Sequence, residues 1–223
     1  MSAIGSSLGA DNGIGCAIML ALIELHYSGE FLFTNDEEIG LIGANALNIP
    51  IISKYLLNLD SESEGDVYIG CAGGFDIDVE IINEKSSVKK NIYNVSTVGF
   101  KGGHSGVDIE KGINNAIIDS IDYINKHDCV MHSINGGERR NAIPRDVECI
   151  VSSDTKINWE LHSNFSAKKI DLCKSEFSLE KIQKLLLPFS DGVRDWDSNN
   201  DVPRKSVNTA LIKSDGNKSN IVF

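Results

Sequence analysis

Four carboxylates in the first 60 residues of the chain stand out by where they fall: Asp11, Glu37, Glu38 and Asp60. Each lies at the edge of an apolar run rather than on the polar face of one, and in open α/β layers that edge is where ligands gather. Hard oxygen donors from several chain segments are what a pair of zinc ions needs. One carboxylate can bridge the ions, and another, left unbound beside a metal-held water, can act as general base. The adjacent Glu37 and Glu38 can divide those roles. Each acid alone also fits a plainer one, Asp11 as a helix cap and Glu37 and Glu38 as charges favouring a helix N-terminus. His104 sits in Lys101-Gly102-Gly103-His104-Ser105-Gly106, a glycine-flanked turn where backbone can approach a ligand closely. The other histidines, His26, His127, His132 and His162, have no metal-binding or catalytic spacing around them and read as structural.

The elements that must hold these residues follow from apolar periodicity. Ile14, Ile18, Leu22 and Leu25 recur at helical spacing, with Asp11 or Asn12 able to cap the start and Gly29 stopping the run. A short apolar stretch at 30–34 predicts a strand, residues 39–47 a second helix, and 55–59 a buried strand ending at Asp60. Helix, strand, helix, strand favours an α/β layer with parallel strands. After Gly73 the pattern changes: Phe75, Ile77, Val79 and Ile81 alternate with acids, as in a strand with one wet face. Strands at 92–98, 129–134 and 147–151 and an amphipathic helix over 113–124 follow, and together they predict a small ferredoxin-like α+β domain. Beyond Ser152 the sequence predicts one helix at 179–187 and a polar tail after Gly192.

Composition narrows the function classes. A net charge of −11 over 223 residues disfavours nucleic acid and anionic membrane surfaces as partners. No apolar run reaches the roughly 18 residues of a membrane span, and no export signal is recognisable at the start. Five scattered cysteines without CxxC spacing argue against a disulfide framework or a thiolate metal site and fit a reducing cytoplasm. The sequons at Asn94 and Asn164 therefore read as chance matches.

Leu8-Gly9-Ala10-Asp11-Asn12-Gly13-Ile14-Gly15, Thr34-Asn35-Asp36-Glu37-Glu38-Ile39-Gly40 and Leu57-Asn58-Leu59-Asp60-Ser61-Glu62 occur in that order. In them the chain resembles the Xaa-His dipeptidase, or cytosol non-specific dipeptidase, family of cocatalytic zinc peptidases, a group that includes carnosinase and peptidase T. The resemblance is clear over residues 5–152 and fainter to about 212, through Gly192-Val193-Arg194 and Ser206-Val207-Asn208-Thr209. It implies part of a zinc-peptidase catalytic α/β layer at 1–73, an inserted lid and dimerisation domain at 74–190, and a return segment of the catalytic domain at 191–223. It implies Asp11 as the bridging zinc ligand, Glu38 and Asp60 as ligands of one zinc each, and Glu37 as general base. His104 matches the lid histidine that steadies the tetrahedral oxyanion. Asn141 and Arg145, in Gly136-Gly137-Glu138-Arg139-Arg140-Asn141-Ala142-Ile143-Pro144-Arg145, match residues that hold the substrate backbone or its C-terminal carboxylate, a bidentate task that suits arginine. A turn with solvated charges is the plainer reading of that stretch.

The expected activity is hydrolysis of dipeptides or short peptides with two zinc ions, cobalt or manganese being other ions that an oxygen-rich site accepts. The family's two zinc histidines, one in an HxD motif before the segment matching Asp11 and one near the C-terminus, have no counterpart in this sequence. The expectation is a truncated or decayed relative with weak metal binding and impaired catalysis. A non-catalytic remnant acting as a dimerisation or binding module is the alternative from another class, and a zinc-dependent deacylase or aminotripeptidase the alternative within it.

Overall fold

A computed structural model describes residues 3–5, 8–37, 39–61, 64–70, 73–159 and 164–223. Contacts divide the chain into two units, Met1–Cys71 and Ala72–Phe223. Among the described residues no helix is long and apolar enough to cross a membrane, and Cys16, Cys129, Cys149 and Cys173 are free thiols.

The first unit contains α1 (Ala10–Glu24) and α2 (Ile42–Asn45). In α1 the backbone is not helical at Asp11 and Asn12, and the Asp11–Asn12 peptide is cis. The regular helix starts after Asn12, whose Oδ1 accepts the Gly15 N–H at 3.0 Å. The capping role open to either residue therefore falls to Asn12, and Asp11 is left for another. Ile14, Ile18, Leu20 and Ile23 are all exposed, so α1 carries apolar side chains around most of its girth, as helices enclosed on every side do. The helix predicted over 39–47 shrinks to one turn, because Gly40 and Leu41 stand at φ 112° and 57° and interrupt it.

The strands predicted at 30–34 and 55–59 do not form, and the parallel layer expected of them is absent from the described residues. A strand exists through its ladder. Here Glu30 binds the N–H groups of Ile52 and Ser53 through its carboxylate, at 3.2 and 2.7 Å, where a ladder would use backbone carbonyls. Tyr55, Leu56 and Leu57 are left exposed.

The second unit makes the chain mixed α/β with a large antiparallel sheet. Its strands are β1 (Asp78–Ile82), β2 (Glu84–Lys85), β3 (Asn91–Thr97), β4 (Gly103–His104), β5 (Val130–Gly136), β6 (Ala142–Ile143), β7 (Val147–Ser153), β8 (Phe165–Ile170), β9 (Phe177–Ser178), β10 (Gly192–Asp197), β11 (Val202–Val207), β12 (Leu211–Asp215) and β13 (Lys218–Val222). Seven of them form one sheet in the order β1-β13-β12-β5-β7-β3-β8, with β2-β9, β4-β6 and β10-β11 as separate pairs. Residues 211–222, at the end of the polar tail, thus supply two strands between β1 and β5. Gly216, at φ 56°, opens the two-residue loop of the β12–β13 hairpin, the place that a type II′ turn reserves for glycine.

Period-two burial selects the face of each strand. In β7, Val147, Cys149 and Val151 are buried while Glu148 is exposed. Those residues form one core with Tyr93, Val95, Met131, Ile134, Ile212 and Ile221 of the sheet, with Ile117, Ile121 and Ile124 of α3 (Ala116–Asn125), and with Ile182 and Leu186 of α4 (Glu180–Leu186). At about 1.5–3 kcal/mol for each fully buried aliphatic side chain, these contacts are the main stabilising term of the unit.

Candidate functional site

His104 is placed by local chemistry. Its strand β4 pairs with β6 through Gly103–Ile143 and His104–Ala142, so the histidine lies across from the loop that carries Asn141. Gly102 turns the chain at φ 65°, and a Cβ there would press on the Ile143 carbonyl and the Arg145 side chain. The chain then closes on itself: the Asp108 N–H donates to the His104 carbonyl and the Ser105 N–H to the Asn141 carbonyl.

The imidazole is fixed in one tautomer. Gly106 and Val107 both donate backbone N–H groups to Nδ1, at 3.0 and 3.3 Å. An atom that accepts two hydrogen bonds carries no proton, so in the neutral ring the proton is on Nε2. Asn141 Nδ2 stands 3.5 Å from Nε2; an amide nitrogen only donates, so it does not accept the Nε2 proton and leaves that donor unspent. Nε2–H is therefore a hydrogen-bond donor held ready on an exposed surface.

Arg145 is exposed and paired with Asp146 at 3.1 Å and Glu138 at 3.3 Å. Exposed pairs of this kind stabilise little, so the guanidinium can exchange them for a ligand carboxylate at little cost. Arg140 is more fully engaged, with contacts at 2.8 and 3.0 Å to Asp78 and 3.1 Å to Asp76 that tie the loop to β1. Its guanidinium holds the Asp78 carboxyl below the usual carboxylate range.

A buried polar cluster that periodicity does not reveal lies beneath this loop. Asn115 caps α3 by accepting the Ile117 N–H at 3.0 Å, and its amide donates to Asp191 Oδ2 at 3.0 Å and to the Thr209 carbonyl at 2.9 Å. Asp191 Oδ1 accepts the Thr209 N–H and hydroxyl at 2.6 and 2.8 Å, and Asn208 donates to the Ala142 carbonyl beside Asn141 at 2.8 Å. Burial pushes the Asp191 carboxyl above the usual range, against three hydrogen bonds that favour the anion. The one advance signal was Asn114-Asn115 before an apolar run, an N-cap pattern.

The four acids fall in the first unit. Asp11, Glu37 and Asp60 are exposed there, and Glu38 lies outside the described residues. Glu37 does not begin a helix; its carbonyl accepts the N–H groups of Gly40 and Leu41 in a turn. Among the described residues no group of three or more His, Cys, Asp or Glu side chains is placed to hold a metal ion. With Glu38 outside the described residues, Asp11 and Asp60 alone are too few to hold a metal pair. Of the remaining histidines, His127 packs against Trp159 at 4.6 Å, His132 is buried, His26 is exposed at φ 59°, and His162 lies outside the described residues.

Comparison with known proteins gives this arrangement a context. No protein-family model matches the chain. The cytosol non-specific dipeptidase of Escherichia coli (strain K12) is 35% identical over 186 residues, which span 78% of this chain and 36% of that protein. The crystal structure of the aminoacylhistidine dipeptidase from Vibrio alginolyticus superposes with a TM-score of 0.73 at 28% identity, over 99% of this chain and 52% of that one. The chain is a relative of these dipeptidases. It spans about a third to a half of their length. The resemblance carried by the motifs around Asp11, Glu37 and Asp60 is thus met by overall similarity, and the mixed α/β class is that of the aminoacylhistidine dipeptidase structure.

Proposed function

We propose that the chain carries part of the machinery for hydrolysing dipeptides or short peptides, with His104 as the donor that steadies the oxyanion. The observation that carries this reading is the fixed tautomer: with Nδ1 engaged by two amides, Nε2–H is a preorganised donor for the charge that develops on a carbonyl oxygen under attack. Arg145 would take the substrate's C-terminal carboxylate as a two-pronged donor, and Asn141 its backbone. Glu37 is the proposed base, taking a proton from the attacking water and passing it to the leaving amine. Zinc would polarise the carbonyl and acidify the water in such a site. The described carboxylates do not assemble around it, so the proposal includes weak zinc binding and impaired turnover by this chain alone.

The test is zinc titration by calorimetry beside an Asp11→Ala control, followed by a dipeptide hydrolysis assay. Weak binding with slow turnover is expected, and His104→Ala should lower kcat/KM by about 100-fold or more, the effect of losing one oxyanion donor. Turnover that is indifferent to His104→Ala removes the assigned role. Tight binding of two zinc ions, lost in the control, would show that the chain completes a site unaided. That no three-ligand group forms among the described residues also favours a second reading, a non-catalytic module that pairs with another copy through the second unit. A homodimer in sedimentation equilibrium with no hydrolysis at any zinc concentration would select it.

A further inference from the structure

We infer that Asp108 is a positioning residue for His104, holding the loop 104–108 closed so that Nδ1 meets the backbone amides and Nε2 keeps the proton. The inference rests on the reading of His104 as an oxyanion donor for its purpose, but not for its geometry.

Asp108 is the residue before a short 3-10 turn (Ile109–Lys111), the position from which an aspartate ordinarily caps. Its carboxylate makes no such cap bond. It turns back instead: Oδ2 accepts the His104 N–H at 2.8 Å, and Oδ1 accepts the Lys111 ammonium at 2.6 Å. The Asp108 N–H returns a bond to the His104 carbonyl at 2.8 Å, so histidine and aspartate are tied through both peptide groups of His104. Lys111 and the His104 N–H together hold the Asp108 carboxyl below the usual range, which keeps it an acceptor.

The space around this ring is closed to alternatives. A Cβ on Gly103 would meet Asp108 Cβ at 3.1 Å and Ile113 Cδ1 at 2.9 Å, so the carboxylate approaches the His104 N–H over a bare glycine. A Cβ on Gly106 would meet the imidazole Cε1 at 3.2 Å and Nδ1 at 3.3 Å. A side chain at residue 106 would press on the ring, so the bare glycine lets ring and backbone meet without displacement. With the His104 N–H held by Asp108, the following amides of Gly106 and Val107 converge on Nδ1, and the tautomer is a consequence of the closed loop.

The test reads the imidazole directly in the 223-residue chain labelled with ¹⁵N, at about pH 8, above the ordinary histidine range of about 6.5. The wild type should show a through-hydrogen-bond nitrogen–nitrogen coupling between Gly106 N and His104 Nδ1, with the proton on Nε2. Asp108→Ala should lose the coupling and move both ring nitrogens to shifts averaged over two tautomers. Asp108→Asn should retain both features, because the amide oxygen still accepts the His104 N–H. Coupling that survives in Asp108→Ala, or a wild-type proton on Nδ1, overturns the inference. Amide resonances of Val147–Ser153 report whether each variant is folded. Should Asp108→Ala not fold, Gly106→Ala tests the same loop: its methyl should push the ring by a few tenths of an ångström and weaken the coupling, and an undiminished coupling there also overturns the inference. These spectra are independent of turnover, so an inert His104→Ala phenotype would remove the oxyanion role and leave the positioning role standing.

Discussion

At the scale of single residues, His132 shows how a side chain can be held in one protonation state without taking part in chemistry. It is 1% exposed, Nδ1 is 2.8 Å from the Phe177 carbonyl and Nε2 is 2.7 Å from the Ser152 hydroxyl. A carbonyl only accepts, so Nδ1 carries the proton and the Ser152 hydroxyl donates to Nε2, while its oxygen accepts the Lys89 N–H at 2.9 Å. Desolvation lowers the pKa of this ring. Below about pH 6.5 the unfolded chain's imidazole takes up a proton that the buried one declines. The unfolded state then binds more protons, and stability should fall with decreasing pH, by up to about 1.4 kcal/mol per unit, until the folded pKa is passed. Urea midpoints across pH 7 to about 5 check this, with His132→Gln, less stable but flatter in that window, as reference. A His132→Gln profile parallel to wild type would remove the assignment. The motifs make His104 visible in the sequence. Nothing there distinguishes His132, because its partners lie 20 and 45 residues away and meet it only after the sheet has formed.

Elements with a clear period were legible: β1, β3, β5, β7, α3 and α4 appear where alternation or helical spacing places them. β8 and the last four strands were not, since their buried positions are few and mixed with Lys, Ser and Asn, although Gly216-Asn217 is a hairpin signal. Short apolar runs also overstated the segments 30–34 and 55–59, because such a run states a preference for burial and the ladder needs a neighbour. Where β12 joins β5, one glycine decides the fit. Gly137 has φ 84°, and a Cβ on it would overlap the Ala210 carbonyl backbone. Gly137→Ala combines left-handed strain with a backbone clash and should cost about 3 kcal/mol, read as a lower urea midpoint, with faster amide exchange in β12 and β13 first. Asn115→Ala should cost about 2 kcal/mol or more by the same measurement, since it removes the α3 cap and strips Asp191 of a buried donor. A loss under about 0.5 kcal/mol would mean that the cluster under the Asn141 loop does not support it.

For the whole molecule, the two units differ in how they are held together, and that difference is what makes the carboxylates and the histidine unequal as candidates. Residues 72–223 close a core in which Ile117, Ile121, Ile124, Ile182 and Leu186 are fully buried. Over 1–71 the described residues bury only Gly15, while Ile14, Ile52, Tyr55, Leu56, Leu57 and Ile69 are exposed. Backbone with few buried contacts and no ladder opens at a small fraction of the global free energy, and proteases cut through such openings. Limited proteolysis of the chain should therefore remove segments within 1–71 early and leave a resistant core beginning near residue 72, measurable by mass spectrometry. Metal supplies the contrast: where zinc binds only the folded arrangement of Asp11, Glu38 and Asp60, it stabilises that arrangement by mass action. Zinc should then slow cleavage within 1–71 in proportion to its occupancy, and the Asp11→Ala variant should lose the protection. Equal cleavage rates in both units without metal would show that the first unit is as firmly folded as the second, and loose packing around the carboxylates would then no longer account for weak metal binding.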